Sequence, residues 1–255
     1  MPLTTLSRYA CYYGPDQLDA LSAYDLAILQ PDHHTRDSID WLQAAGTRCV
    51  AYLSVGEIDL EHAAPGWCVV DPQSGQAAVN HRWHTAYIDC RSPAWQDQLI
   101  LETIPQIMSK GFSGLFLDTL DAQEIYPATR PGVIQLVTRL RPALPNSLLI
   151  ANRGFAVLDA IIPLIDAVVF EAFTSYFDDG RYATWEGADL LWTDNQAVYL
   201  QALCTNRPIL ALDYAAPEDD ALQRLARQRA QHHGFHSFVG PFGLDWLPPG
   251  TATGS

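Results

Sequence analysis

Eight short apolar runs punctuate the chain, and each is followed by polar residues and then by a helical stretch. The runs are SRYACYY (7–13), DLAILQ (25–30), RCVAYLSV (48–55), GLFLD (114–118), SLLIAN (147–152), DAVVFE (166–171), PILALD (208–213) and HSFVG (236–240). Most are near-continuous rather than alternating, the pattern of strands covered on both faces. Helical stretches separate them, clearest at 35–45, 95–109, 131–142, 195–205 and 218–232, with weaker ones near 16–22 and 155–162. Such alternation implies parallel strands joined by right-handed crossovers. Eight units are the number that closes an α/β fold of the (β/α)8 TIM barrel type. An open doubly wound sheet is the rival, but no GxGxxG loop is present.

Two segments depart from the repeat. The tail after Gly240, PFGLDWLPPGTATGS, is too short and Pro-rich for a normal helix, which predicts an incomplete eighth helix. About sixty residues separate the third and fourth runs, where one helix needs far fewer. The surplus, GWCVVDPQSGQAAVNHRWHTAYID, reads as a β-hairpin with apolar ends around a Pro-Gln-Ser-Gly turn. Long ordered insertions usually shape a site, so Trp83, His84 and Tyr87 are expected at the pocket rim. With no internal linker, residues 1–255 read as one domain.

Composition narrows the function classes. The chain is 48% hydrophobic, enough for a sizeable core, and no run approaches the length needed to span a bilayer. Acidic residues outnumber basic ones 29 to 15, a formal charge of −14, which disfavours nucleic acid and permits a neutral or cationic ligand. The opening MPLTTLSRYACYYG contains no leader-like apolar stretch. As written, the chain is expected to be cytoplasmic, or secreted or periplasmic where a leader has been trimmed. The five cysteines form no CxxC; Cys68 and Cys90 flank the insertion, and whether they pair is open.

In a barrel of this kind the site lies at the carboxyl ends of the strands. There the polar residues converge: Tyr13, then Ser54 and Glu57, then Asp118, Asn152-Arg153, Glu171 and Asp213-Tyr214. An Asp after a strand often caps the next helix. Capping explains one such residue and explains poorly an Asp, an Asn, a Glu and an Asp ending four successive strands. Glu171 follows Val168-Val169-Phe170, and a Glu in so apolar a run is costly to bury unless paired, with Arg153 as the alternative partner, or used. Asp118 and Glu171 together suit glycoside hydrolysis, which needs one ionised and one protonated carboxyl group. Apolar neighbours favour Glu171 as the general acid and polar neighbours favour Asp118 as nucleophile or base. Tyr13, Tyr52, Phe173, Tyr176, Trp192 and Tyr214 offer ring faces for the C–H side of a sugar. Glu57, Asp121 and Asp213 would favour amino sugars carrying ammonium groups.

YLSVGEID (52–59), YIDCRSPAWQ (87–96), GFSGLFLDTLD (111–121), ANRGF (151–155), VVFEAF (168–173) and ALDYA (211–215) occur in an order that resembles glycoside hydrolase family 114. The resemblance runs from about Tyr12 to Gly240. It implies a TIM barrel with endo-α-1,4-polygalactosaminidase activity, as in the hydrolase domain of proteins that process the Pel polysaccharide. The family's acidic pair falls on Asp118 and Glu171. The implied partner is an amino-sugar polysaccharide or oligosaccharide, and no cofactor or metal is implied. A non-catalytic carbohydrate-binding barrel, or a glycosidase of the same fold acting on another glycan, are the alternatives. The adjacent pairs His33-His34 and His232-His233 point apart and lack a third ligand. Asp118, Asp121 and Glu57 could hold Mg²⁺, but no phosphate-binding loop accompanies them.

Overall fold

The structure, a computed structural model, describes residue 3, residues 6–64 and residues 66–248. Strands β1 (Tyr9–Tyr12), β2 (Leu26–Leu29) and β3 (Arg48–Ser54) are followed by three short strands outside the barrel, β4 (Glu57–Asp59), β5 (Val79–Asn80) and β6 (Thr85–Tyr87). The barrel resumes with β7 (Gly114–Asp118), β8 (Leu148–Asn152) and β9 (Ala167–Glu171). A hairpin, β10 (Ser175–Asp178) and β11 (Arg181–Thr184), intervenes before β12 (Ile209–Tyr214) and β13 (His236–Gly240). The eight barrel strands are parallel and pair in the order β1-β2-β3-β7-β8-β9-β12-β13. Its two ends face each other, with the Tyr9 ring against Phe238 and the Tyr9 hydroxyl donating to Ala211 O at 2.7 Å. The result is a nearly closed TIM barrel, as the eight apolar runs require.

The helices around it are α1 (Leu18–Leu21), α2 (Arg36–Ala44), α3 (Pro93–Asp97), α4 (Ile104–Ser109), α5 (Ala122–Ile125), α6 (Arg130–Ala143), α7 (Leu158–Ile161), α8 (Gly187–Leu203) and α9 (Asp220–His232). Two begin on clear local signals. Thr35 and Ser38 form a reciprocal capping box on α2, and Asp219 accepts from Leu222 N at the start of α9. The helix expected at 95–109 is one helical stretch with a π-type segment, Gln98–Thr103, between α3 and α4. Pro105, two residues further on, has no N–H to offer the preceding turn, so the wider register falls where a normal bond is missing. Helix α8 begins eight residues before the expected 195; its first turns are exposed, and the edge-on contacts of Trp192 with Phe155 and Phe170 tether them to the barrel.

The insertion is larger than a hairpin. The turn is where expected, with Asp71 Oδ1 accepting from Gln73 N and Ser74 N and Val70 bridging Ala77. However, β4 joins through β6 to β5, giving a three-stranded antiparallel sheet in which Glu57 lies opposite Tyr87. The β10–β11 hairpin leaves little mark in the sequence, since SYFDDGRYAT alternates weakly and its Asp-Gly turn sits between two short arms. After β13 the described residues, 241–248, contain no helix, and 249–255 of the expected tail lie outside the described residues. All five cysteines are free thiols, so Cys68 and Cys90 do not pair. Among the described residues, no helix is long and apolar enough to cross a membrane.

Candidate active site

The three strands β7, β8 and β9 end in Asp118, Asn152 and Glu171, and the residue after each turns sharply. Thr119 (φ 60°), Arg153 (φ 50°) and Ala172 (φ 52°) all occupy the left-handed region, which none of these residue types prefers. Such conformations cost on the order of 1–3 kcal/mol each and persist only when surrounding contacts impose them. Here the ladder continues into the turn, with Arg153 N donating to Val169 O at 2.9 Å and Ala172 N to Leu212 O at 2.7 Å. Thr119 is held by its own hydroxyl, which accepts from Gly56 N at 2.7 Å and Val55 N at 3.2 Å. Gly56 is required for that approach, because a Cβ there would lie 2.3 Å from Thr119 O.

The turns leave Asp118, Asn152 and Glu171 side by side. The Asn152 amide donates to Asp118 Oδ1 at 2.7 Å and to Glu171 Oε2 at 2.6 Å. Tyr52 donates to the other oxygen of Asp118 at 2.8 Å, and Tyr214 to the other oxygen of Glu171 at 2.6 Å. Each of the four carboxyl oxygens therefore meets one donor. Turning the Asn152 NH2 toward both acids leaves its Oδ1 buried without a partner. The Tyr52 and Tyr214 hydroxyls are held protonated, and so remain donors, because burial and the adjacent carboxylates push their pKa values up. Burial, and then the charge of Asp118, push the pKa of Glu171 up; the bonds from Tyr214 and Asn152 and the Arg153 charge only partly oppose this.

The other expected ligand residues divide into three groups. Tyr13 stands beside this cluster, its ring edge-on to Tyr52 with centroids 5.3 Å apart. Asp121 lies at its margin, 3.6 Å from Arg153 Nε, and burial raises its pKa to about 6 against the pull of Arg153. Arg153 thus pairs with Asp121, and no ion pair joins it to Glu171 among the described residues. A second group is tied to neighbouring loops. Glu57 accepts from Thr85 Oγ1 at 2.5 Å and from Asn80 Nδ2 at 3.2 Å, so the insertion sheet orients it. Ser54 Oγ donates to Glu57 O at 2.8 Å and sits 3.0 Å from Thr119 Oγ1, which makes it a brace between β3 and β7. Tyr176 stacks on Trp185, centroids 4.0 Å apart.

The third group is a correction. Phe173 and Asp213 are fully buried and present no surface to a ligand. The left-handed turn at Ala172 sends Phe173 outward beneath the helices, against Phe170, Phe235 and the Arg229 guanidinium. Asp213 accepts from Thr174 N at 2.5 Å and Ser175 N at 2.9 Å, so it anchors the segment leaving β9. Tyr214 and Asn152 are also buried, at 7% and 4% exposure, and act on the carboxyl groups from behind. Thr119 and Trp185 were missed. Thr119 had a legible sign, a hydroxyl directly after the strand-terminal Asp. Trp185, which donates to Ala172 O at 2.6 Å, had none. Asp118, Asp121 and Glu57 do not form a metal-ligating group, nor does any other set of three His, Cys, Asp or Glu among the described residues.

The insertion reaches the same end of the barrel. Arg82 donates to Asp178 Oδ1 at 2.9 Å and to Phe177 O at 2.8 Å on the hairpin after β9. Trp83 stacks on Phe242, which stacks on Phe177 in turn. Tyr87 lies opposite Glu57 and packs against Tyr126.

A barrel of eight parallel strands whose carboxyl ends carry two acids bridged by one amide defines a class, the TIM-barrel glycoside hydrolases. The chain belongs to glycoside hydrolase family GH114, whose model matches residues 7–246. The glycoside hydrolase domain of PelA from Pseudomonas aeruginosa is 28% identical, with a TM-score of 0.83 over 95% of this chain and 97% of that one. Ega3 from Aspergillus fumigatus, solved in complex with galactosamine, shares the fold at 17% identity and a TM-score of 0.66, over 96% and 94% of the two chains. An α-galactosidase from Thermus thermophilus shares it at 16% identity and a TM-score of 0.62, over 96% of this chain and 60% of that one. No curated protein matches the sequence.

Proposed function

We propose that this glycoside hydrolase is an endo-acting, retaining enzyme that cuts α-1,4-linked galactosamine-rich polysaccharide, with Asp118 as nucleophile and Glu171 as acid and base. The bridge through Asn152 carries the reading. One nitrogen lies 2.7 Å from Asp118 Oδ1 and 2.6 Å from Glu171 Oε2, so those oxygens cannot be further apart than the sum, 5.3 Å. Retaining glycosidases hold their carboxyl groups about 5–5.5 Å apart, whereas inverting ones need about 6.5–9.5 Å to admit a water.

The same closeness divides the roles. Two unit charges no more than 5.3 Å apart repel by at least about 3 kcal/mol at an effective dielectric of 20. One group therefore keeps its proton, and burial selects Glu171. Glu171 gives that proton to the glycosidic oxygen as the bond to C1 breaks, while a carboxylate oxygen of Asp118 bonds to C1. The leaving chain departs with a free hydroxyl. Glu171, now ionised, takes a proton from water, whose oxygen displaces Asp118 and restores the starting configuration. The Tyr214 hydroxyl can donate to ionised Glu171 or accept from its protonated form, so it serves both half-reactions. Tyr52 and Asn152 keep Asp118 oriented through both displacements.

Support for the amino sugar comes from Asp121 at the margin of the pair, from the Glu57 carboxylate held by the insertion after β3, from the formal charge of −14, and from the galactosamine held by Ega3. The test is incubation with partially deacetylated α-1,4-galactosaminogalactan, with mass spectrometry of the products and NMR of the anomer first released. Internal cleavage with an α-anomeric product is expected. Asp118→Asn and Glu171→Gln should each lose at least about 10²–10⁴-fold in turnover while melting normally. Near-normal turnover in either folded variant would remove that residue from the chemistry.

A further inference from the structure

The flank of the barrel between α8 and α9 holds a cavity of about 480 Å³. Its walls include Trp185, Leu190, Asp194, Leu225, Arg229 and His233, whose pKa burial lowers, and none of the residues that bond to Asp118 or Glu171. A packing fault is much smaller: deleting a whole core side chain leaves roughly 150 Å³, whereas ligand sites span about 300–1,000 Å³.

The walls are also fixed in place. Trp185 is clamped from one side by Tyr176 and donates its indole N–H to Ala172 O at 2.6 Å. Arg229 is engaged by Phe173 O, by Thr193 Oγ1 at 2.7 Å and by Asp194 Oδ1 at 2.6 Å. That leaves its charge neutralised and unsuited to an anionic ligand. Asp194 Oδ2 has no hydrogen-bond partner among the described residues, and the Asp194 side chain is 46% exposed. Leu190 and Leu225 add apolar surface that is open to solvent. A flat held indole, two aliphatic walls and one available carboxylate oxygen match the two sides of a pyranose, an apolar C–H face and a rim of hydroxyl or ammonium donors. A lipid chain would leave the ion pair unmatched, and a phosphorylated ligand would meet Asp194.

We propose that this cavity is a second saccharide-binding site that takes one or two sugar units of the polymer away from the catalytic centre. The identity of the sugar rests on the function proposed above. A chain held at both places rebinds from a raised local concentration, so long polymers are favoured over short ones without any change in the chemistry.

The experiment follows the ¹⁵N–¹H indole signal of Trp185 in the full Asp118→Asn chain, assigned by its loss in Trp185→Phe. The protein is titrated with an α-1,4-linked galactosamine tetrasaccharide. The Trp185 signal is expected to shift and saturate, and Leu225→Trp, which fills the cavity, should abolish the shift. With Asp118 intact, Leu225→Trp should leave turnover of the tetrasaccharide unchanged and raise KM for the polymer by about tenfold. A Trp185 signal that stays still while the wild-type chain cleaves the tetrasaccharide overturns the second site alone. A tetrasaccharide that is neither cleaved nor bound overturns the proposed substrate, and the sugar assigned to this cavity with it. Binding of unrelated peptides with equal effect on Trp185 would also refute a saccharide site.

Discussion

Asn152→Ala is the most informative single change, because one side chain supports both acids. The substitution removes donors at 2.7 Å from Asp118 and at 2.6 Å from Glu171, at a position 4% exposed where water cannot readily replace them. A hydrogen bond to a charged group contributes about 1.5–3 kcal/mol. Losing the support of Asp118 should thus lower kcat by roughly 10–100-fold, at 1.4 kcal/mol per tenfold. The pH profile adds a sign. The bond lost at Glu171 favoured its ionised form, so Glu171 becomes harder to ionise. The alkaline limb, where Glu171 must be protonated, should therefore move to higher pH. The assay is kcat/KM against pH with an α-linked galactosaminide, for the wild type and the variant, with a melt to show that the variant is folded. A variant with reduced kcat and an unmoved profile would show that Asn152 does not act on the acids, and the argument from the bridge would fail.

Three further outcomes follow from particular contacts. Burial pushes the pKa of Asp121 up to about 6, so KM for an ammonium-bearing oligosaccharide should rise as pH falls through 6; Asp121→Asn should remove that dependence and weaken the effect of salt on KM. Burial raises the pKa of Asp213 to about 6, above its unfolded value near 4, so its contribution to stability is greatest below pH 4 and declines as pH rises through 6. Asp213→Asn should flatten denaturant midpoints across that window. Gly56→Ala would place a Cβ 2.3 Å from Thr119 O and 2.9 Å from Ala122 Cβ, which should cost about 1–3 kcal/mol in urea unfolding and reduce kcat by displacing the turn after Asp118.

The eight apolar runs determined the barrel almost unaided, because a parallel strand buried on both faces leaves a continuous mark in sequence and only one closure suits eight of them. The acids at their ends were legible for the same reason: where an apolar run stops at a carboxylate, the side chain must stand at the rim. Sequence could not separate the rim from the outside of the rim. Asp213 and Phe173 sit as close to strand ends as Asp118 does, yet one left-handed turn at Ala172 sends Phe173 under the helices and sets Asp213 to hold the loop. The β10–β11 hairpin, the third strand of the insertion and the cavity between α8 and α9 were equally hidden, since the hairpin arms alternate weakly, β4 reaches β6 across a long loop, and the cavity exists only where two helices and the segment after β9 come together. What the sequence determined by itself was the list of strands and the acids that end them, through local hydrophobicity and its period. The tertiary structure alone decided that Asp118 and Glu171 share one amide within 5.3 Å, because that distance is set by the register of three strands and the turns that follow them.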